Sequence, residues 1–274
     1  MDWFDALILG LVQGIAEFLP ISSSGHLEIF SKILHLKLNG ADALDFDATL
    51  HVATALSTIV VLWHEFVPLC KSFFTFKNDN NTRTVLKILL SALPVAVVGL
   101  FFKDTVEGFF GGNLLVVGIC LLVTAVLLTF AWYMRRGEAS PYKKGTKRHP
   151  HGITWLDAFI IGCAQAIAVL PGLSRSGSTI ATGLILGDRR EEVARFSFLM
   201  VIIPILGQAL LSVKDILGGE ASEMVGITPL IIGFLASFIT GCLACKFMLE
   251  IVKRGKLIYF AAYCIIIGVV CICW

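Results

Sequence analysis

The sequence predicts an all-α polytopic membrane protein, with about six transmembrane helices plus two re-entrant helix pairs in an inverted-topology repeat. Three observations predict it. Apolar residues make up 57% of the 274 and charged residues only 15%, a balance that a soluble domain of this size cannot cover with polar surface. Two apolar regions are each broken at their centre by a turn rich in Pro, Ser and Gly. Those two regions align with each other, without gaps, at one fixed offset.

In chain order, the first broken region covers roughly residues 3 to 36. Asp2 and Asp5 replace the basic n-region of a signal peptide and no small-residue cleavage site follows, so this segment reads as part of the mature fold. Pro20-Ile21-Ser22-Ser23-Ser24-Gly25-His26 interrupts it. Proline ends the incoming helix, and the Ser and Gly residues suit a turn and the N-cap of a second short helix. Continuous apolar runs at roughly 48 to 66, 85 to 102 and 114 to 134 then fit spanning helices. The second broken region, roughly 154 to 187, is interrupted by Pro171-Gly172-Leu173-Ser174-Arg175-Ser176-Gly177. Runs at roughly 196 to 212, 227 to 245 and 257 to 274 complete the six. The chain divides into a first repeat (1–137), a linker (138–152) and a second repeat (153–274) within one membrane domain.

Aligning Trp3 with Trp155 also matches Asp5 with Asp157, Ala6 with Ala158, Ile8 with Ile160, Gly10 with Gly162 and Gln13 with Gln165. Ile15, Ala16, Ser22, Ser24 and Gly25 fall on Ile167, Ala168, Ser174, Ser176 and Gly177. Identities of both polar and apolar type in one register are the mark of an internal repeat. The departures matter as much: Glu17 faces Val169, Ser23 faces Arg175 and His26 faces Ser178. One copy has become acidic and the other basic.

Charge placement selects an orientation. Lys71, Lys77, Arg83, Lys87, Arg135, Arg136, Lys143, Lys144, Lys147, Arg148, Arg189, Arg190, Arg195, Lys246, Lys253, Arg254 and Lys256 fall on one face of the six-span arrangement. The opposite loops carry Asp42, Asp45, Asp104, Glu107, Asp215, Glu220 and Glu223. The positive-inside rule makes the basic face cytoplasmic and puts both termini outside, so the two broken regions enter from opposite sides. The net charge of +2 gives no reason to expect nucleic acid. The eight cysteines lie almost entirely in apolar stretches, where Cys acts as a small hydrophobe, and Cys242 and Cys245 lack a second ligand pair.

An ionised group at membrane depth costs on the order of 2.5 to 3.5 kcal/mol on insertion scales, so Glu17, His26 and Arg175 need partners or a wet cavity. Half-helix N-termini facing each other, with Ser22, Ser24, Ser174, Ser176 and the Arg175 guanidinium, suit a phosphate. Glu17 would repel that phosphate unless a divalent cation lay between them. Gln13 and Glu17, at i and i+4 on one helical face, offer two oxygens to such an ion. His26 can serve as general acid, general base or nucleophile, and Ser23 is the alternative nucleophile. Asp47 and His51, again at i and i+4, either reach the same cavity or make a helix-end hydrogen bond. His35, His64, Glu65, His149 and His151 read as span ends or solvated loop. Glu28 has no evident role.

The motifs Gln13-Gly14-Ile15-Ala16-Glu17-Phe18-Leu19-Pro20-Ile21-Ser22-Ser23-Ser24-Gly25-His26 and Pro171-Gly172-Leu173-Ser174-Arg175-Ser176-Gly177-Ser178-Thr179 make the sequence resemble the undecaprenyl-diphosphate phosphatase family, the bacitracin-resistance type. The resemblance covers the full chain. It implies hydrolysis of a C55 polyprenyl diphosphate to the monophosphate carrier lipid and inorganic phosphate, for recycling in cell-wall synthesis. It further implies dependence on Mg²⁺ or Ca²⁺, residence in the bacterial inner membrane and a site open to the outer face. Bacitracin would meet the protein only indirectly, through the shared substrate. By position, Glu17, Ser22, Ser23, His26, Ser174, Arg175, Ser176 and Thr179 match the family's functional residues, while Gln13 stands where many members have Glu. Of the possible attacking groups, the residues favour Ser23 aided by His26 over His26 itself or water. A transporter or flippase of polyprenyl phosphate is the alternative, since inverted repeats with broken helices also build transporters. A homodimer remains open.

Overall fold

The computed structural model describes residues 1–36, 40–102, 105, 108, 113–135, 152–215 and 226–274, the side chains of 40–45 and 211–215 apart. The side chains of Asp42, Asp45, Asp104, Glu107, Asp215, Glu220 and Glu223 therefore lie outside it, as do Arg136, His149, His151 and the stretch 138–151 with its basic residues. The described chain is all-helical, as the apolar patterning predicts. Its helices are α1 (Trp3–Ala16), α2 (Ser23–Ile33), α3 (Gly40–Val61), α4 (Trp63–Phe74), α5 (Asn80–Phe101) and α6 (Leu114–Arg135), followed by α7 (Trp155–Ile167), α8 (Arg175–Leu186), α9 (Arg190–Met200), α10 (Ile202–Asp215), α11 (Ile227–Lys253) and α12 (Ile258–Cys273).

Four segments are long and apolar enough to cross a membrane: α5, α6, α11 and Arg190–Leu210, which runs through α9 into α10. A fifth qualifies only as a bent pair, because the run expected at 48 to 66 turns by 91° between α3 and α4. The expected last span is a helix of 16 residues; at about 1.5 Å per residue it is shorter than a hydrocarbon core of about 30 Å. The chain is a multi-span membrane protein, and among the described residues four helices, or five with the bent pair, meet the length and apolarity of a span. Its many exposed Leu, Ile, Val and Phe side chains on these helices are what a lipid-facing surface requires.

The two broken regions begin alike. A capping box opens each: the Asp2 carboxylate accepts from the Asp5 amide, and the Thr154 hydroxyl accepts from the Asp157 amide. Each incoming helix stops before its proline, and the next helix starts at aligned positions, Ser23 and Arg175, behind the N-caps Ser22 and Ser174. Those hydroxyls accept from the amides of Gly25 and Gly177, as a Ser N-cap should.

Packing interleaves the two aligned halves. α1 lies against α11, α7 against α5, and α6 against α12, so each half's leading helix packs on a late helix of the other. Small residues permit these contacts. A Cβ at Gly10 would strike the Gly233 carbonyl, and one at Gly162 would strike the Ser91 carbonyl. The breaks themselves also touch. A Cβ at Gly25 would lie 3.0 Å from the Gly172 Cα, and one at Gly177 would lie 3.2 Å from the Pro20 Cβ.

Several basic segments meet at one end of the bundle. Arg195 pairs with Glu65 at 3.4 Å and with Glu191 at 2.9 Å. Arg190 donates to the Arg135 carbonyl at 2.9 Å, and Lys87 donates to the Ile153 carbonyl at 2.6 Å.

Candidate active site

The site forms where the end of α1 meets the start of α8. Proline at position 20 has no N–H to give to the Ala16 carbonyl, so α1 cannot run on. The chain turns instead through Ser22, which takes φ +71°, a left-handed value rare for a residue with a Cβ. That turn folds Ser23 back toward the helix just ended. The Ser23 hydroxyl donates to Glu17 Oε2 at 2.6 Å.

Glu17 gathers further groups. Gln13, one turn earlier, donates its amide N–H to the same Oε2 at 3.0 Å. The Arg175 guanidinium pairs with Oε1 from the other break. His51 of α3 brings Nε2 to 3.7 Å from Oε2, while its Nδ1 lies 2.7 Å from the Asp47 carbonyl. Both readings open for His51 are seen: Nδ1 bonds within its own helix, and Nε2 reaches Glu17. The Glu17 side chain is only 6% exposed and that of Arg175 25%. A buried ion pair on this pattern offsets its desolvation only because other donors complete it.

Divergence between the halves explains an asymmetry. Gln165, aligned with Gln13, is equally buried, but Val169 stands where Glu17 would answer it. Its amide has no hydrogen-bond partner among the described residues. Gln13 is half-satisfied, with Oε1 buried and unpartnered among the described residues.

The hydroxyls divide by task. Ser22 and Ser174 are caps; each also approaches the hydroxyl two residues on, Ser24 at 3.3 Å and Ser176 at 3.4 Å. Ser176 donates to the Leu19 carbonyl at 3.1 Å, tying the second break to the first. Thr179 lies 2.5 Å from the Ser197 hydroxyl of α9. His26 is turned elsewhere. Its Nδ1 is 2.7 Å from the Ser22 carbonyl and its Nε2 is 2.8 Å from the Tyr263 hydroxyl, so it does not meet Ser23 as expected. Glu17 is the group that meets Ser23. Glu28, on α2, keeps a buried carboxylate oxygen without a hydrogen bond among the described residues.

A pocket opens beside the ion pair. Glu17, Arg175, Ser176, Thr54, Thr58 and Ser197 form its polar wall, and Phe18, Phe198, Val201 and Ile205 its apolar wall. Phe18 and Phe198 meet edge to face at 5.4 Å. Thr54, Thr58 and Ser197 escape a sequence reading because hydroxyls inside apolar helices usually bond to their own backbone, as both threonines do here.

The family model described as bacitracin resistance protein BacA matches residues 6–270. The chain belongs to the BacA family. The undecaprenyl-diphosphatase of Bacteroides fragilis strain YCH46 is 54% identical to it, the alignment covering 99% of this chain and 98% of the relative. That of Parabacteroides distasonis is 53% identical over 99% and 98% of the two chains. A more distant one, from Carboxydothermus hydrogenoformans, is 40% identical over 98% and 96%. The BacA match spans both breaks, and so every residue of the Glu17–Ser23–Arg175 constellation.

Proposed function

We propose that the protein is an undecaprenyl-diphosphate phosphatase, removing the terminal phosphate of a C55 polyprenyl diphosphate and leaving the monophosphate carrier lipid. The observation that carries this is the convergence of Ser23 and Arg175, from two separate breaks, on Glu17, with Glu17 and Arg175 lining a pocket that has a polar and an apolar wall. Its lining sets charged and hydroxyl groups beside apolar ones, the two chemistries that a polyprenyl diphosphate presents. The family and the names of its relatives point the same way.

In the proposed chemistry, Ser23 Oγ attacks the terminal phosphorus while its proton passes to Glu17 Oε2. The bond from that phosphorus to the bridging oxygen breaks, and the lipid monophosphate leaves. Water then attacks the phosphoserine, releasing inorganic phosphate and restoring the hydroxyl. Arg175 spends part of its fork on Glu17, and its remaining N–H groups are available to the phosphoryl oxygens as charge builds on them. Ser176 lines the same wall.

The residues also fit a divalent cation in their donor chemistry. Gln13 Oε1 is a buried oxygen with no hydrogen-bond partner among the described residues, on the amide that donates to Glu17, and hard cations commonly take one or two protein oxygens plus substrate phosphates. Gln13 and Glu17 would hold Mg²⁺ or Ca²⁺, which supplies charge neutralisation for the diphosphate. Positive-inside charge placement supports a cytoplasmic-membrane protein with both termini and the site toward the outer face. The alignment of the breaks supports two inverted repeats joined by the 138–152 linker.

The test is phosphate release from undecaprenyl diphosphate with Mg²⁺ by the purified protein. Wild type is expected to turn over, and Arg175→Ala and Glu17→Ala to lose on the order of 10²-fold or more in kcat. Wild-type protein that releases no phosphate would sink the reading. Rapid quenching should find phosphate label on Ser23, and label on His26 would exclude Ser23 as the attacking group.

A further inference from the structure

The Ser22–Ser23 peptide is held in an unfavourable shape by groups that never touch the pocket. Left-handed backbone at a residue with a Cβ costs roughly 1 to 2 kcal/mol, so Ser22 at φ +71° needs external support. Its carbonyl, the oxygen of the same peptide plane that carries Ser23, receives that support from His26. Both the His26 backbone N–H, at 3.2 Å, and the ring Nδ1, at 2.7 Å, reach it.

A carbonyl oxygen can only accept, so Nδ1 must carry the hydrogen. In the neutral ring Nε2 is then an acceptor, and the Tyr263 hydroxyl donates to it from 2.8 Å. The rings of His26 and Tyr263 lie stacked, 15° apart in plane and 5.7 Å between centroids. His26 is 5% exposed, leaving water little access to take over either bond. The partner on one nitrogen thereby sets the proton on the other.

Tyr263 belongs to α12, and its neighbour makes a second hold on the same break: Cys264 Sγ donates to the Pro20 carbonyl at 3.5 Å. The other break is held in a parallel way by α6, where Thr124 Oγ1 accepts from the Ser174 amide at 3.0 Å. Because α6 and α12 pack on each other, this pair of helices grips both breaks from behind.

We propose that Tyr263 is a positioning residue of the reaction. Its hydroxyl, donating to Nε2, keeps the His26 ring in the orientation that points Nδ1–H at the Ser22 carbonyl; His26 keeps the Ser22–Ser23 peptide turned; and the turned peptide keeps the Ser23 hydroxyl on Glu17. The inference rests on the reading of Ser23 as the attacking group. Without the hydroxyl, Nε2 is a buried acceptor that has lost its donor, and a ring that turns to find another takes Nδ1–H off the Ser22 carbonyl. The strained turn then loses its hold.

The experiment compares full-length wild type with Tyr263→Phe in lipid nanodiscs, using undecaprenyl diphosphate and Mg²⁺. kcat is expected to fall about five- to tenfold, the size of one hydrogen bond, with KM changed less than twofold. Histidine ¹⁵N spectra, with His26 assigned by its loss in His26→Gln, should show a hydrogen-bonded Nδ1–H in wild type and a weakened or broken Nδ1–H bond in Tyr263→Phe. Unchanged kcat in Tyr263→Phe overturns the proposal, and so does reduced kcat with an unchanged Nδ1–H signal. The wild-type spectrum is a test even where the variant does not assemble, since finding Nε2–H there overturns the proposal outright. Wild type that shows the Nδ1–H tautomer and hydrolyses nothing would leave the Tyr263–His26 link standing and defeat the phosphatase reading instead.

Discussion

At the scale of single residues, Glu17 is the point where the two halves of the chain are reconciled. Its carboxylate is nearly removed from solvent and would be prohibitive there alone, yet Arg175 answers one oxygen while Ser23 and Gln13 answer the other. Gln13 is informative because an amide does two jobs that a carboxylate cannot combine: it donates to Glu17 through Nε2 and keeps Oε1 as a neutral oxygen. Gln13→Glu removes the donor and sets two carboxylates side by side, so the buried charge needs a cation to balance it. We expect the melting temperature without divalent ions to fall, by several degrees, and added Mg²⁺ to restore it. The Mg²⁺ concentration for half-maximal phosphate release should drop several-fold. A variant whose melting is indifferent to Mg²⁺ would count against Gln13 and Glu17 as the metal's residues.

At the scale of helices and breaks, the glycines following each serine motif are there to let two turns approach. Gly25→Ala would drive a methyl against the Gly172 backbone and the Val117 side chain, and Gly172 itself is committed to φ +88° and cannot yield. Overpacking of this kind costs roughly 1 to 3 kcal/mol. Gly99, inside α5, has no atom of the described residues within 4 Å of its would-be Cβ, so Gly99→Ala should be neutral or stabilising by up to about 1 kcal/mol through helix propensity. Thermal melting of the two variants in detergent should move in opposite directions or leave Gly99→Ala flat, and equal losses would show that local space is not the cause. Much of this level was legible beforehand. Ser22 and Ser174 could be read as N-caps, and Trp3 and Trp155 as the starts of matched helices, because capping and periodicity are local. The 91° turn after Val61 was not legible, since no Pro or Gly marks it. The Tyr263–His26 bond was not either, because its partners are 237 residues apart and the Tyr lies in an unremarkable apolar helix.

At the scale of the whole molecule, the interleaving of the two halves decides how the site can be assembled. Glu17 and Ser23 come from the first half and Arg175 from the second, and the helices that carry them pack across the divide rather than within it: α1 on α11, α7 on α5, α6 on α12. Neither half alone can bury the glycine-lined faces of α1 or α7, because the surfaces that fill them, at Gly233 and Ser91, belong to the other half. The connection between the halves carries none of the site residues. Cutting the chain within 138–151 and co-expressing residues 1–137 with 153–274 should therefore give a complex that co-purifies and releases phosphate from undecaprenyl diphosphate at a rate within about tenfold of the intact chain, the allowance being for assembly cost. Each half expressed alone should yield no activity and be degraded or aggregate, as exposed helix faces with close-packing grooves do. Phosphate release by the first half alone would mean that Ser23 and Glu17 work without Arg175, and would remove the reason for the second break to meet the first.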